Sequence, residues 1–236
     1  MTMTGREAPS WLLAIDTGTS RIVVAAGGLD GAVLEVCGEP AGYRHGELLL
    51  ATVNHLLVRT GLERGGLRGI IVGTGPGAFT GLRVGLATAK TMAHGLGIQI
   101  VGVGTGMALI HAAARDGTEP MKPGSSVVLL MPAGPRDRLI VTSDAPPRIL
   151  IDGGELDAFD PAAIVAVDLE DRAPADAVAR GVEAHRHLGE SMLALGAERL
   201  RAGSVDDPEQ LVPEYVTLPR GVRAAVGAIE WSNDQR

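Results

Sequence analysis

Two hydrophobic rhythms alternate along this chain of 236 residues, and their order sets out its elements. Trp11 to Ile15 is a continuous apolar run of strand length. Arg21 to Ala26 and Ala32 to Val36 read as two more strands, joined around Asp30-Gly31, a favoured hairpin pair. Between residues 45 and 59 the period lengthens, and Leu49, Val53, Leu56 and Leu57 fall on one helical face. A strand over 67–73, a helix over 81–96, a strand over 98–103 and a helix near 105–115 complete the first half. Three strands followed by alternating helices and strands predict an α/β fold, a mixed sheet flanked by helices.

The second half repeats that order more faintly. Ser125 to Met131, Leu139 to Ser143 and Arg148 to Ile151 read as short strands. Glu155 to Phe159 is a weak helix, Ala163 to Leu169 a strand, and residues 187–202 a strong helix carrying Leu188, Met192, Leu195 and Leu200. The echo lies in element order, not in residue identity. It predicts two similar lobes, residues 1–119 and a smaller one over 120–219, with Pro120 to Gly124 as the hinge and 220–236 as a mobile tail.

Composition narrows what such a chain can do. Folding at this length buries roughly 70% of the unfolded surface, enough for a core without staples. Aromatics are 3% of residues, so that core is aliphatic. With 21 basic and 28 acidic residues the net charge is −7, which gives no general attraction for nucleic acid or anionic membrane. The single cysteine, Cys37, makes no internal disulfide, and its valine neighbours predict a buried, inert thiol. Met1 to Pro9 is polar, and no apolar run approaches the roughly 20 residues of a membrane span, so the cytoplasm is the expected location.

The densest chemistry lies between Gly73 and Leu86. Ile70-Ile71-Val72 leads in as a buried strand, and Leu86 to Ala93 leads out as a helix. Gly75 and Gly77 permit positive φ or close backbone approach, Pro76 fixes one φ between them, and Thr80 is placed to cap the helix. A tight strand-to-helix turn explains these glycines. So does anion binding at a helix start. A Walker loop is excluded, because that motif needs Gly-Lys and the only lysines, Lys90 and Lys122, follow Ala89 and Met121.

The eleven residues from Gly75 to Gly85, followed by Ala87-Thr88-Ala89-Lys90, resemble the signature of the TsaB family of tRNA threonylcarbamoyladenosine biosynthesis proteins. Leu13-Ala14-Ile15-Asp16-Thr17, Arg44-His45 and Leu211-Val212-Pro213-Glu214-Tyr215-Val216 extend the likeness, which is dense to about residue 105 and thin beyond. The resemblance implies two lobes of the actin-like ATPase, or ribonuclease H-like, fold. It implies a non-catalytic subunit that pairs with TsaD. Together with TsaE, the pair transfers a threonylcarbamoyl group to adenosine 37 of tRNA. It further implies that tRNA is met only through the complex, that the chain forms a homodimer when alone, and that it binds no cofactor tightly, ATP or ADP with Mg being held at the complex. An alternative reading is a free-standing actin-like-fold ATPase or kinase.

Two sets of candidate residues follow. Asp16, Thr17, Gly18 and Thr19 look like the first phosphate loop of the actin superfamily, where a carboxylate holds hydrated magnesium. A turn capped by the Asp side chain is the structural alternative. For the partner interface, Leu82, Leu86, Ala89, Ala93 and Leu96 suffice to face the sheet, which leaves Val84, Gly85, Ala87 and Met92 over. Leu48 and Leu50 flank the Leu49 stripe in the same way. Since the family is thought to join through a four-helix bundle, the candidate interface is His45, Leu48, Leu50, Gly75, Gly77, Phe79, Thr80, Gly81, Arg83, Val84, Gly85 and Met92.

No metal site is expected. The histidines are His45, His55, His94, His111, His185 and His187. Aligning Gly102-Val103 with TsaD places Thr105 and Leu109 at its two helical ligand positions, and neither replaces imidazole. Met131-Pro132-Ala133-Gly134 stands where the family usually carries Asp-Ala-Arg, so segment 131–138 receives no role. Ser191 sits mid-helix without a glycine elbow, which argues against a serine hydrolase.

Overall fold

The computed structural model describes residues 9–116, 126–134, 136–150 and 156–215. The expected hinge at 120–124 and tail at 220–236 lie outside them. Strand β1 (Trp11–Asp16) is buried at all six positions and sits in the middle of a five-stranded sheet. Its neighbours are β2 (Arg21–Gly27), β3 (Val33–Pro40), β4 (Leu67–Gly75) and β5 (Gln99–Gly104), in the order β3-β2-β1-β4-β5. β1, β2 and β3 pair antiparallel, and β4 and β5 add in parallel. Parallel pairing requires crossovers, supplied by α1 (His45–Thr60) and α2 (Phe79–Leu96). Helix α3 (Thr105–Asp116) follows β5. The second sheet has the order β8-β7-β6-β9, from β6 (Val128–Pro132), β7 (Arg138–Val141), β8 (Arg148–Leu150) and β9 (Ile164–Ala166).

Both faces of the first sheet are covered, which is why β1 reads as a continuous apolar run instead of an alternating one. Trp11, Leu13 and Ile15 join Ile22, Val24, Ile70 and Val72 beneath Leu49, Val53 and Leu56 of α1 and Leu86, Ala89 and Ala93 of α2. On the other face, Leu12, Ala14, Val23, Ala25, Ile71 and Val101 meet Ala108, Leu109 and Ala112 of α3. The same cluster continues into Leu129, Met131, Leu139 and Val141 of the second sheet.

Helix α4 (Ala175–Arg186) has the amphipathic period of a helix but is polar on average, and it is absent from the expected elements. Its buried positions are Ala177, Gly181, Ala184 and His185, a stripe of small residues and one imidazole. Small residues are needed because the helix lies directly on β9. A Cβ at Gly181 would overlap the Ala166 carbonyl. Helix α5 (Leu188–Arg201) is the strong helix expected over 187–202, but it packs on the first sheet. Gly189 lies against Val23, Ala25 and Val36, and Gly196 against Ile71. The smaller lobe expected over 120–219 therefore does not keep α5 to itself: the chain returns to the first sheet from residue 188.

Residues 202–215 then close the open edge of β5. The Asp206 amide donates to the Ile100 carbonyl at 3.0 Å. The Gly102 amide donates to Asp206 Oδ2 at 2.7 Å, while Arg199 Nη1 donates to the Gly102 carbonyl at 2.5 Å and to Asp206 Oδ2 at 2.9 Å. A charged pair thus fills the hydrogen-bonding edge that a further strand would otherwise seek. Burial pushes the Asp206 pKa up, but the hydrogen bonds from Arg199 and the Gly102 amide hold it below the usual value.

Gly181→Ala forces α4 off β9 and is expected to cost about 1–3 kcal/mol. Gly95→Ala, in an exposed turn of α2 with nothing within 4 Å of its Cβ, should instead stabilise by about 0.5–1 kcal/mol. Thermal melts distinguish the two signs. Since Asp206 is more acidic folded than unfolded, its contribution is present above a pH of about 4 and lost as pH falls through its folded pKa. The Tm difference between the native chain and Asp206→Asn should therefore shrink on acidification.

Candidate functional site

Helix α2 begins on top of the turn between β1 and β2, with backbone against backbone. The Ala78 amide donates to the Gly18 carbonyl at 2.7 Å, and Thr17 Oγ1 donates to the Gly81 carbonyl at 2.8 Å. A Cβ at Gly77 would overlap the Gly18 carbonyl, one at Gly81 the Thr17 carbonyl, and one at Gly85 the Thr17 hydroxyl. Gly75 adopts φ +111°, which a side chain would resist, and its bond to Pro76 is cis. Close approach is therefore what the glycine signature encodes here. The helix starts one residue after Ala78, which makes no side-chain cap, so the expected capping role of Thr80 is corrected. Thr80 lies exposed inside the first turn.

Asp16 is buried at the end of β1. Its Oδ1 accepts from the Gly18 amide at 2.9 Å, and its Oδ2 from the Thr105 hydroxyl at 2.6 Å. Thr105 in turn accepts from the Gly75 amide at 3.2 Å. One carboxylate thus holds the ends of β1, β4 and α3 together. Gly73 is bare because a Cβ there would overlap Asp16 Oδ2. Burial pushes the Asp16 pKa up, against the lowering hydrogen bonds from Thr105 and Gly18. Of the four candidate nucleotide contacts, Asp16, Thr17 and Thr19 are buried and bonded within the chain, with Gly18 between them. This geometry is that of the capped turn.

The turn is also gripped from both sides. His45, at the start of α1, lies with Nε2 3.0 Å from the Thr19 carbonyl, which can only accept, so the ring donates there. His185 of α4 places Nε2 2.9 Å from Thr19 Oγ1. Ser20 donates its amide to Asp168 Oδ2 at 2.6 Å and its hydroxyl to Asp168 Oδ1 at 2.5 Å. Asp168 adopts φ 57°, a conformation uncommon for a residue with a side chain. His185 and Asp168 were not legible as partners of this turn, because the contacts span 166 and 148 residues of sequence.

The candidate interface residues divide. His45, Gly75, Gly81 and Gly85 are buried inside this chain and present no side chain outward. The expectation that Gly85 faces a partner is therefore corrected: it faces Thr17, and a large side chain there would disrupt the fold. Leu50 is 61% exposed, Gly77, Thr80 and Arg83 are exposed, and Leu48, Phe79, Val84 and Met92 are half-buried. Val58, absent from the candidates, is 75% exposed on α1. Leu96, expected against the sheet, is 45% exposed because the helix ends there. Arg83 sits 4.4 Å over the Phe79 ring and donates from Nε to Tyr215 Oη at 3.1 Å. The Phe79 and Tyr215 rings are 4.9 Å apart. Two of the chain's few aromatics thus anchor the C-terminal segment to the start of α2.

Among the described residues no three His, Cys, Asp or Glu side chains converge as a metal site would require. Thr105 is engaged with Asp16, and Leu109 lies in the core. His111 Nδ1 lies 3.0 Å from Ser191 Oγ, a pair that links α3 to α5. Ser191 is fully buried and so offers no nucleophile to solvent. Cys37 is buried too, and burial pushes its thiol pKa up.

Asp16→Asn should fold, since the amide oxygen accepts from Gly18 and the amide nitrogen can donate to Thr105. A carboxyl whose folded pKa is raised contributes most to stability below its unfolded value near 4, and that contribution is lost as pH rises through the folded pKa. The Tm of Asp16→Asn relative to the native chain should therefore climb as pH rises above about 4. Melts followed by circular dichroism check this, and a falling difference contradicts it.

A family profile described as TsaD, tRNA N6-adenosine threonylcarbamoyltransferase, matches residues 36–205. An uncharacterised protein of Mycobacterium tuberculosis is 41% identical over 97 residues, 40% of this chain and 45% of that one. The tRNA threonylcarbamoyladenosine biosynthesis protein TsaB of Escherichia coli is 33% identical over 106 residues, 44% of each chain. These alignments span less than half the length of the curated relatives. Among solved structures, YeaZ from Pseudomonas aeruginosa superposes with a TM-score of 0.64 at 22% identity, covering 88% of this chain and 100% of that one. The two share the actin-like fold of two mixed sheets flanked by helices. With the profile running from β3 through α5, the chain belongs to the threonylcarbamoyltransferase family, on its TsaB/YeaZ branch.

Proposed function

We propose that this chain is a non-catalytic subunit that supports TsaD in forming threonylcarbamoyladenosine at position 37 of tRNA. One observation carries the reading: the polar side chains of the candidate phosphate loop are turned inward, while α1 and α2 keep apolar surface turned outward. Asp16, Thr17 and Thr19 close their own turn. On α1 and α2, Leu50 and Val58 are exposed, with Leu48, Val84 and Met92 half-buried beside them. Gly46 of α1 faces Val84 of α2, its Cβ position lying at an ordinary contact distance of 4.0 Å from Val84 Cγ2. Such a pair of helices suits docking of a second pair through small and aliphatic residues.

In this reading the chemistry belongs to TsaD, and ATP or ADP with Mg is held at the assembled complex, where TsaE joins. The net charge of −7 leaves tRNA to the other subunits. When TsaD is missing, the same face pairs two copies of this chain. No described helix is long and apolar enough to cross a membrane, and the cytoplasm is the compartment this role requires.

The test is co-purification with TsaD from the same cells, followed by reconstitution of the tRNA modification. Addition of this chain should raise the activity of TsaD with TsaE, and alone it should modify nothing. Leu50→Asp, at an exposed position, should weaken the complex by at least about tenfold and leave the melt unchanged. A complex that forms normally with Leu50→Asp combined with Val84→Asp places the partner elsewhere.

A further inference from the structure

A cleft of about 750 Å³ opens between the β2 and β3 end of the first sheet and helix α4. It is separate from the α1 and α2 face. Its apolar part is aliphatic: Val23 and Val36 from the sheet, Val178 and Val182 from α4. Val182 is 50% exposed on a helix otherwise rich in charge, and it turns that surface to the cleft. No Phe, Tyr or Trp lines the walls, and the one imidazole there, His185, is engaged with Thr19.

Opposite charges stand on the same walls. Arg21 is half-buried and, among the described residues, has no hydrogen-bonded or ion-paired partner for its guanidinium. Partly buried guanidinium groups are matched by carboxylates, which they bind bidentately. Asp168 and Glu170, after β9, line the same cleft. Each Asp168 oxygen accepts one hydrogen bond from Ser20, which fixes the carboxylate and leaves further lone pairs unused. The unusual φ of 57° at Asp168 is held by those two bonds, an arrangement found where a side chain must be aimed. The other basic groups do not compete. Arg186 is paired with Glu183, and His185 is engaged with Thr19.

We propose that this cleft binds a small aliphatic α-amino acid. Its carboxylate lies on Arg21, its ammonium on Asp168 and Glu170, and its side chain on the valines. No part of this rests on the subunit role proposed above. A zwitterion matches a site with one unpaired cation and fixed carboxylates, where a simple anion would leave the acidic wall unsatisfied.

The experiment is titration calorimetry of the full chain with L-valine as the probe. N-acetyl-L-valine, which lacks the ammonium, and L-valinamide, which lacks the carboxylate, are the controls. L-valine should bind with a Kd of ~1 mM or tighter, and each control at least about tenfold more weakly. Arg21→Gln should abolish the heat without shifting the melt, since nothing in the fold depends on its charge. Asp168→Asn, which keeps a residue tolerant of the left-handed conformation, should weaken binding about tenfold. The proposal is overturned by the absence of heat with L-valine at about 10 mM. Equal binding of L-valine and L-valinamide, full affinity in Arg21→Gln, or tighter binding of ATP than of L-valine would also overturn it.

Discussion

The buried carboxylate of Asp16 and the backbone contact beside it determine how the rest of the molecule is arranged. A carboxylate without water must be given hydrogen bonds, and Asp16 takes them from the Gly18 amide and the Thr105 hydroxyl. That requirement fixes where α3 begins, since Thr105 is its first residue. It also keeps Gly73 free of a side chain. One turn further along, α2 rests on Thr17 and Gly18 so closely that Gly77, Gly81 and Gly85 have no room for a Cβ. A motif that could be taken for an anion cradle is, in this chain, a seam between a helix and a turn.

The same turn ties the elements that carry opposite faces of the molecule. Thr19 meets His45 of α1 on one side and His185 of α4 on the other, and Ser20 is bound to Asp168 after β9. The outward face of α1 and α2 is thereby mechanically continuous with the wall of the cleft beneath α4.

Small residues appear wherever two layers must come close: Gly181 on β9, Gly189 and Gly196 on the first sheet, Gly81 and Gly85 on the turn. A chain with so few aromatics builds its core from Val, Ile, Leu and Ala, and close approach of backbones replaces the bulk that rings would supply. Three of the six aromatic side chains tie segments together. Phe79 and Tyr215 clamp the C-terminal segment to α2, and Trp11 donates from Nε1 to the Glu63 carbonyl at 2.9 Å.

By itself the sequence determined the elements of the first lobe to within about two residues, except at the end of β3, because β1, α1, β4, α2 and β5 carry strong periodic or continuous apolar patterns. It determined the family, since eleven consecutive signature residues survive independently of geometry. Helix α4 stayed hidden although its amphipathic period is present, because that period is carried by small residues, Ala177, Gly181 and Ala184, on a segment that is polar on average. Only the tertiary structure decided that α5 belongs with the first sheet, that Gly85 points inward, and that Asp16 is closed off. Each of these depends on which surfaces meet, through contacts such as Asp16 with Thr105, Thr19 with His185, and Gly196 with Ile71. Local patterning states that a residue prefers to be buried. It does not state against what, and at a glycine or a lone carboxylate that partner is the whole of the answer.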